Sequence, residues 1–273
     1  MISNDHSSRL RVLNKNLNAQ VLTFSASVFV IFAIAINLPI FAGPWHFLVR
    51  GLLVSLGVIA VTTFLMKAEK ASLSEYGLHW RKDIIKHSII GLSTGILTML
   101  LIFILLLTFS NLDFVALSSA SLVSFLLTSI PILLMLAFME EVAFRGYLLF
   151  KLKQQFGVRT SVYLTALAFG LYHGLVIESL IGPAVWGLIF ALFALYSKGL
   201  ALPTLFHFAL NWMQALFNMK QKYTPGLYEF IQIDGLPIID ERALGLIIQG
   251  IILILAIILI EAYCRQNRKN INC

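Results

Sequence analysis

Glu140, Glu141, Arg145, His173, His207 and Asn211 stand out in this 273-residue chain because each interrupts a long apolar run. An ionisable group in such a run costs roughly 2.5 to 3.5 kcal/mol on the insertion scale and marks a function by default. A carboxylate, two imidazoles and an amide can together hydrolyse a peptide bond. Glu140 and His173 are suited to hold and deprotonate a water, while His207 and Asn211 are suited to donate to the oxyanion that develops. Glu141 and Arg145 form an i,i+4 pair in the favourable acidic-first order, and each neutralises the other. Glu140 points about 100° away around the same helix and lacks that partner. Zinc is the rival reading: Glu140, His173 and His207 could ligate it, with water as fourth ligand. The histidines do not have the HExxH spacing, and the same residues contain what a metal-free mechanism needs, so no cofactor is expected. Cys264 and Cys273 sit in the polar tail and offer neither a nucleophile nor a metal site.

The elements that must carry these groups are membrane spans. The chain is 59% hydrophobic and 12% charged, with a mean hydropathy of +0.88, which excludes a soluble globular enzyme. A bilayer core of about 30 Å needs roughly 20 apolar helical residues. Eight stretches qualify: Val21 to Ala42, Phe47 to Met66, Ser88 to Ser110, Ser121 to Phe150, Thr160 to Ile177, Ile181 to Ser197, Gly199 to Met219 and Ala243 to Ala262. The fold class is therefore all-α, a polytopic membrane protein of about eight transmembrane helices with an intramembrane polar site. An eight-span domain over 21–262, with the motif-bearing core at 121–219, is flanked by cytoplasmic segments at 1–20 and 263–273.

Lys and Arg set the orientation, because basic loops stay cytoplasmic. Of the 20 basic residues, 15 fall on one side: Arg9, Arg11, Lys15, Lys67, Lys70, Arg81, Lys82, Lys86, Lys151, Lys153, Arg159, Lys198, Arg265, Arg268 and Lys269. Both termini are thus expected in the cytoplasm, which fits an even number of spans. The net charge of +7 is a topology signal, and no nucleic-acid partner is expected. The stretch Lys67 to His87, with Tyr76, Leu78 and Trp80, reads as a short interfacial helix or a polar loop. Gln221 to Arg242, with Pro225, Gly226, Gly235 and Pro237, reads as an irregular external loop. Counting 1.5 Å per residue from the basic ends puts Glu140 about 16 Å deep, His173 about 21 Å, His207 about 12 Å and Asn211 about 18 Å. The four polar groups share one layer.

The motifs themselves match a pattern. EExxxR at Glu140, Glu141 and Arg145, FxxxH at Phe169 and His173, and HxxxN at His207 and Asn211 follow one another on separate spans. In that order they resemble the CAAX protease and bacteriocin-processing family of intramembrane proteases, the type II CAAX prenyl endopeptidases. The resemblance implies an endopeptidase whose Glu140 and His173 serve the water and whose His207 and Asn211 serve the oxyanion. It implies that Glu141 and Arg145 hold their span in register and that Phe169 packs His173 in place. The substrate would be a peptide or membrane protein, the surroundings a lipid bilayer, and the expected location a bacterial cell membrane. A non-catalytic scaffold for partner helices and a transporter are the alternatives; both also tolerate polar groups at mid-depth.

Overall fold

The computed structural model describes residues 3–39, 43–79, 82–118, 121–235 and 237–267, without the side chains of 3–17 and 178. Trp80, Arg81, Arg268, Lys269 and Cys273 therefore lie outside the described residues, as do the side chains of Arg9, Arg11 and Lys15. Eight α-helices make up most of what is described: α1 (Ser3–Asn37), α2 (Trp45–Glu69), α3 (Ile84–Phe109), α4 (Leu122–Arg145), α5 (Tyr147–His173), α6 (Ile177–Ser197), α7 (Ala201–Leu216) and α8 (Glu241–Gln266). Among the described residues, six helical stretches are long and apolar enough to cross a membrane, and the protein is an all-α polytopic membrane protein.

The eight expected spans do not all appear as separate full-length helices. One of the six stretches runs 52 residues, from Leu122 to His173, so α4 and α5 count as a single unit. Gly146 bends it after Arg145, and Gly157 breaks it with φ 81° and ψ 179°, a left-handed backbone that a side chain resists. Gly157 makes the turn for which a loop at 151–159 was expected. Lys151 and Lys153 consequently lie on a helix; Lys151 is buried and pairs with Glu69, whose carboxylate also accepts from the hydroxyls of Tyr76 and Tyr147. Helix α7 spans 16 residues, Ala201–Leu216, where 21 were expected. It is short for a full crossing.

Local chemistry fixes the helix ends. The Ser121 side chain accepts from the Ser124 N–H at 3.3 Å to start α4, and Asp240 accepts from the N–H groups of Arg242 and Ala243, both at 3.0 Å, to start α8. Lys198, in the left-handed region at φ 50°, closes α6 and lets the chain turn into α7. The connection between α2 and α3 holds only a four-residue 3-10 turn, Leu73–Tyr76, in place of an interfacial α-helix. The segment read as an irregular external loop contains β2 (Tyr228–Gln232), which pairs antiparallel with β1 (Leu112–Ala116). Aromatic contacts among Phe103, Phe114, Phe217, Tyr228 and Phe230 tie this ribbon to the ends of α3 and α7.

Helix α7, which carries His207, packs most extensively on α3. A Cβ built on Gly91 would lie 2.4 Å from the Leu202 carbonyl oxygen, and one on Gly95 would lie 2.6 Å from Ala209 Cβ. Gly91 and Gly95 form a small-xxx-small pair, which lets two backbones approach inside a bilayer. That pair was legible in the sequence and is the missed signal for how α7 is placed. Gly91→Val should push α7 off α3 and lower the yield of monodisperse protein. Overpacking of this kind costs about 1 to 3 kcal/mol. Size-exclusion profiles after graded heating of the parent and variant would measure the loss.

Candidate active site

The Gly157 turn places Glu140 and His173 at matching distances along its two arms. Glu140 lies seventeen residues before it and His173 sixteen residues after it. Glu140 Oε2 lies 4.0 Å from His173 Nε2 and 3.6 Å from His207 Nε2, so one carboxylate faces both imidazoles. Its side chain is 13% exposed, that of His207 is 7% exposed, and that of His173, at the end of α5, is 32% exposed. Asn211 is half-buried one turn beyond His207 on the same face of α7.

Each imidazole is anchored through its other nitrogen. His173 Nδ1 lies 2.9 Å from the Phe169 carbonyl oxygen, and His207 Nδ1 lies 2.9 Å from Glu141 Oε1. A carbonyl only accepts, so His173 Nδ1 is the donor there and Nε2 is the nitrogen turned toward Glu140. Aromatic rings fix both planes. Phe190 stacks on His207 at 4.4 Å and 18°, while the Phe169 ring meets His173 edge-on at 4.6 Å.

Glu141 does more than the sequence suggested. It sits 3.5 Å from Arg145, as the i,i+4 spacing requires, and it also holds His207 across the α4–α7 interface. Both Glu141 and Arg145 are fully buried. The guanidinium donates to the Gly187 carbonyl at 3.2 Å and lies 4.2 Å from the Phe169 ring centre and 5.2 Å from that of Phe190. Its Nε and Nη1 have no hydrogen-bond partner, so the Glu141 contact is an ion pair without hydrogen-bond geometry and the rings supply the rest of the shell. Nothing in the spacing of the chain pointed to Phe190, which touches Arg145 from one side and His207 from another.

The field of Glu140 extends past α7. Burial pushes the Lys220 ammonium down, which the Glu140 carboxylate opposes, and burial with that same charge pushes the Tyr223 phenol up. Tyr223 also lines a polar cavity of about 710 Å³ bounded by His46, Ser121, Ser124 and Lys222 near the starts of α2 and α4. The donor types at Glu140, His173 and His207 suit zinc, with each Nδ1 held in the way metal-ligating histidines are held. Among the described residues, however, no three such side chains are gathered closely enough to grip an ion.

Residues 96–213 match the model of the Type II CAAX prenyl endopeptidase Rce1-like family. The match takes in all three motifs, so over those residues the chain is similar to that family of membrane proteases, and its long apolar helices make it a multi-pass membrane protein. No curated protein matches the chain.

Because Glu141 serves two cations or donors at once, Glu141→Gln and Arg145→Ala should act on folding. Breaking one partner of a buried pair costs about 3 to 5 kcal/mol. Both variants should give lower yields of monodisperse protein than Glu140→Gln, whose side chain keeps some contact with solvent. Quantifying membrane-inserted and detergent-extracted protein for the three variants side by side tests this ordering.

Proposed function

We propose that the chain is an intramembrane endopeptidase in which Glu140 and His173 activate a water and His207 and Asn211 stabilise the oxyanion. The observation that carries this reading is the convergence of both Nε2 atoms on the Glu140 carboxylate, with each Nδ1 tied off. A separation of 4.0 Å between Glu140 and His173 exceeds direct hydrogen-bond reach and suits one water bonded to both. Glu140 takes the proton, and the His173 lone pair orients the water's other hydrogen. Attack on the carbonyl carbon turns its oxygen into an oxyanion. The Asn211 amide donates to that oxygen. His207, anchored through Nδ1 to Glu141, turns Nε2 toward the same site. The proton held by Glu140 then passes to the leaving amine and the bond breaks.

Zinc held by Glu140, His173 and His207 is the alternative reading; the anchored Nδ1 atoms speak for it and the spread of the three side chains speaks against it. Peptides and membrane proteins are the substrates this site would take, and the basic loops support a reading with both termini in the cytoplasm, in a bacterial cell membrane.

Glu140→Gln and His173→Ala should abolish cleavage with normal insertion and yield, and Asn211→Ala should lower the rate about 10²- to 10³-fold. Comparing the membrane peptidome of parent and Glu140→Gln cells supplies the readout; unchanged cleavage by well-folded Glu140→Gln protein would overturn the mechanism in favour of a scaffold. Metal-depleted protein should keep most of its activity. Loss of activity restored by stoichiometric zinc would establish the metal reading instead. For orientation, a cysteine at exposed Gln221 in a background lacking Cys264 and Cys273 should react with an impermeant reagent from outside, and one at Gln154 should not.

A further inference from the structure

A cavity of about 550 Å³ lies between α2, α3, α4 and α7, and the 3-10 turn borders it. It is separate from the site above: Phe138 lines it from α4, about 200° around that helix from Glu140. Most of the wall is apolar, with Ile59, Leu134, Phe138 and Leu205 among its residues. Ile59 lies ten residues before Glu69, the end of α2, so the cavity reaches about 15 Å from the surface that bears the 3-10 turn. One leaflet of a bilayer core of about 30 Å has that depth. Helices α2 and α3, which flank the cavity, make no substantial contact with each other among the described residues.

Two buried polar atoms on the wall have no partner in the protein, Thr204 Oγ1 and His79 Nδ1. Thr204 is 3% exposed. A pure hydrocarbon would leave both atoms unsatisfied, which a buried polar atom tolerates poorly. Exposed cations flank the lining residues in sequence: Lys82 and Lys86 beside Ile84, His87 and Ser88, and Lys198 between Ser197 and Gly199. The nearby acids are already engaged, Asp83 with His87 at 3.6 Å and Glu75 with Ser72.

We propose that this cavity is a binding site for an anionic phospholipid of the surrounding leaflet. One acyl chain fills the apolar wall between α2 and α3, an ester carbonyl accepts from the Thr204 hydroxyl, and the phosphate meets His79, Lys82, Lys86 and Lys198. The proposal requires the chain to sit in a bilayer and is independent of the hydrolytic reading. Since Thr204 stands one turn before His207 on α7, the lipid would also brace the segment that carries His207.

The test uses the full chain in nanodiscs of phosphatidylglycerol or phosphatidylcholine, followed by extraction and native mass spectrometry. One phosphatidylglycerol per chain should survive extraction, and phosphatidylcholine should not. Each basic residue near an anionic surface contributes about fivefold, so replacing Lys82, Lys86 and Lys198 together by Gln should cut retention of phosphatidylglycerol by about 100-fold. Ala201→Phe, which fills the cavity from α7, should abolish retention in protein that still elutes as a single peak; Ser88→Phe does the same from α3 if that variant fails to fold. Equal retention of the two lipids, or full retention in a folded cavity-filled variant, would overturn the proposal.

Discussion

A fully buried guanidinium is the constraint on which the site depends. Arg145 is closed off from the surface and has few hydrogen-bond acceptors, so its charge is balanced by Glu141, one backbone carbonyl and the faces of aromatic rings. Charge in an apolar interior is tolerated only with such a shell. Satisfying Arg145 positions everything else. Glu141 is drawn inward and its second oxygen reaches His207, Phe169 is held flat against the guanidinium, and Phe190 is clamped between Arg145 and His207. The three motifs thus meet through a buried ion pair that has no direct part in the proposed chemistry.

Backbone geometry delivers the partners to that ion pair. Breaks at Gly146 and Gly157 interrupt the helix between them, and the chain returns so that His173 Nε2 lies 4.0 Å from Glu140 Oε2. Close approach of α3 and α7 at Gly91 and Gly95 sets the position of His207 from the opposite side. A second buried network, in which Glu69 gathers Tyr76, Tyr147 and Lys151, locks the end of α2 to the arm leading into the Gly157 turn. There burial and the Glu69 charge push the Tyr76 phenol well above its usual range, so it remains a donor. Arg159, just past the turn, grips Glu261 of α8 through two hydrogen bonds at 2.6 and 2.7 Å. Polar anchors therefore bracket the turn on both sides.

Much of this was legible in the sequence, because the signals involved are local. Hydropathy exposes long apolar helices whatever their neighbours, and ionisable residues inside them are conspicuous since a bilayer penalises them wherever they sit. The i,i+4 spacing alone gave the Glu141 and Arg145 contact. The candidate cluster of Glu140, His173 and His207 followed from span direction and helical rise, which are also local quantities. What misled was charge: Lys151 looked like a loop residue because a lone lysine belongs in water, and only a partner 82 residues away makes its burial tolerable. The strands β1 and β2 were equally hidden, because a short strand is defined by its partner and its residues have no marked periodicity of their own.

The sequence by itself determined that this chain lives in a membrane, that polar groups suited to hydrolysis stand within its apolar helices, and that Glu141 and Arg145 pair. Tertiary structure decided which atom faces which. The bond from Glu141 to His207, the stacking of Phe190 and the direction of both Nε2 atoms toward Glu140 each need two helices at a fixed angle and spacing. Rotating a helix by one residue turns a side chain by about 100°, enough to convert a site residue into a lipid-facing one. Helix spacing and rotation follow from close packing, at Gly91 and Gly95 above all, and packing is a property of surfaces that the chain acquires only when folded.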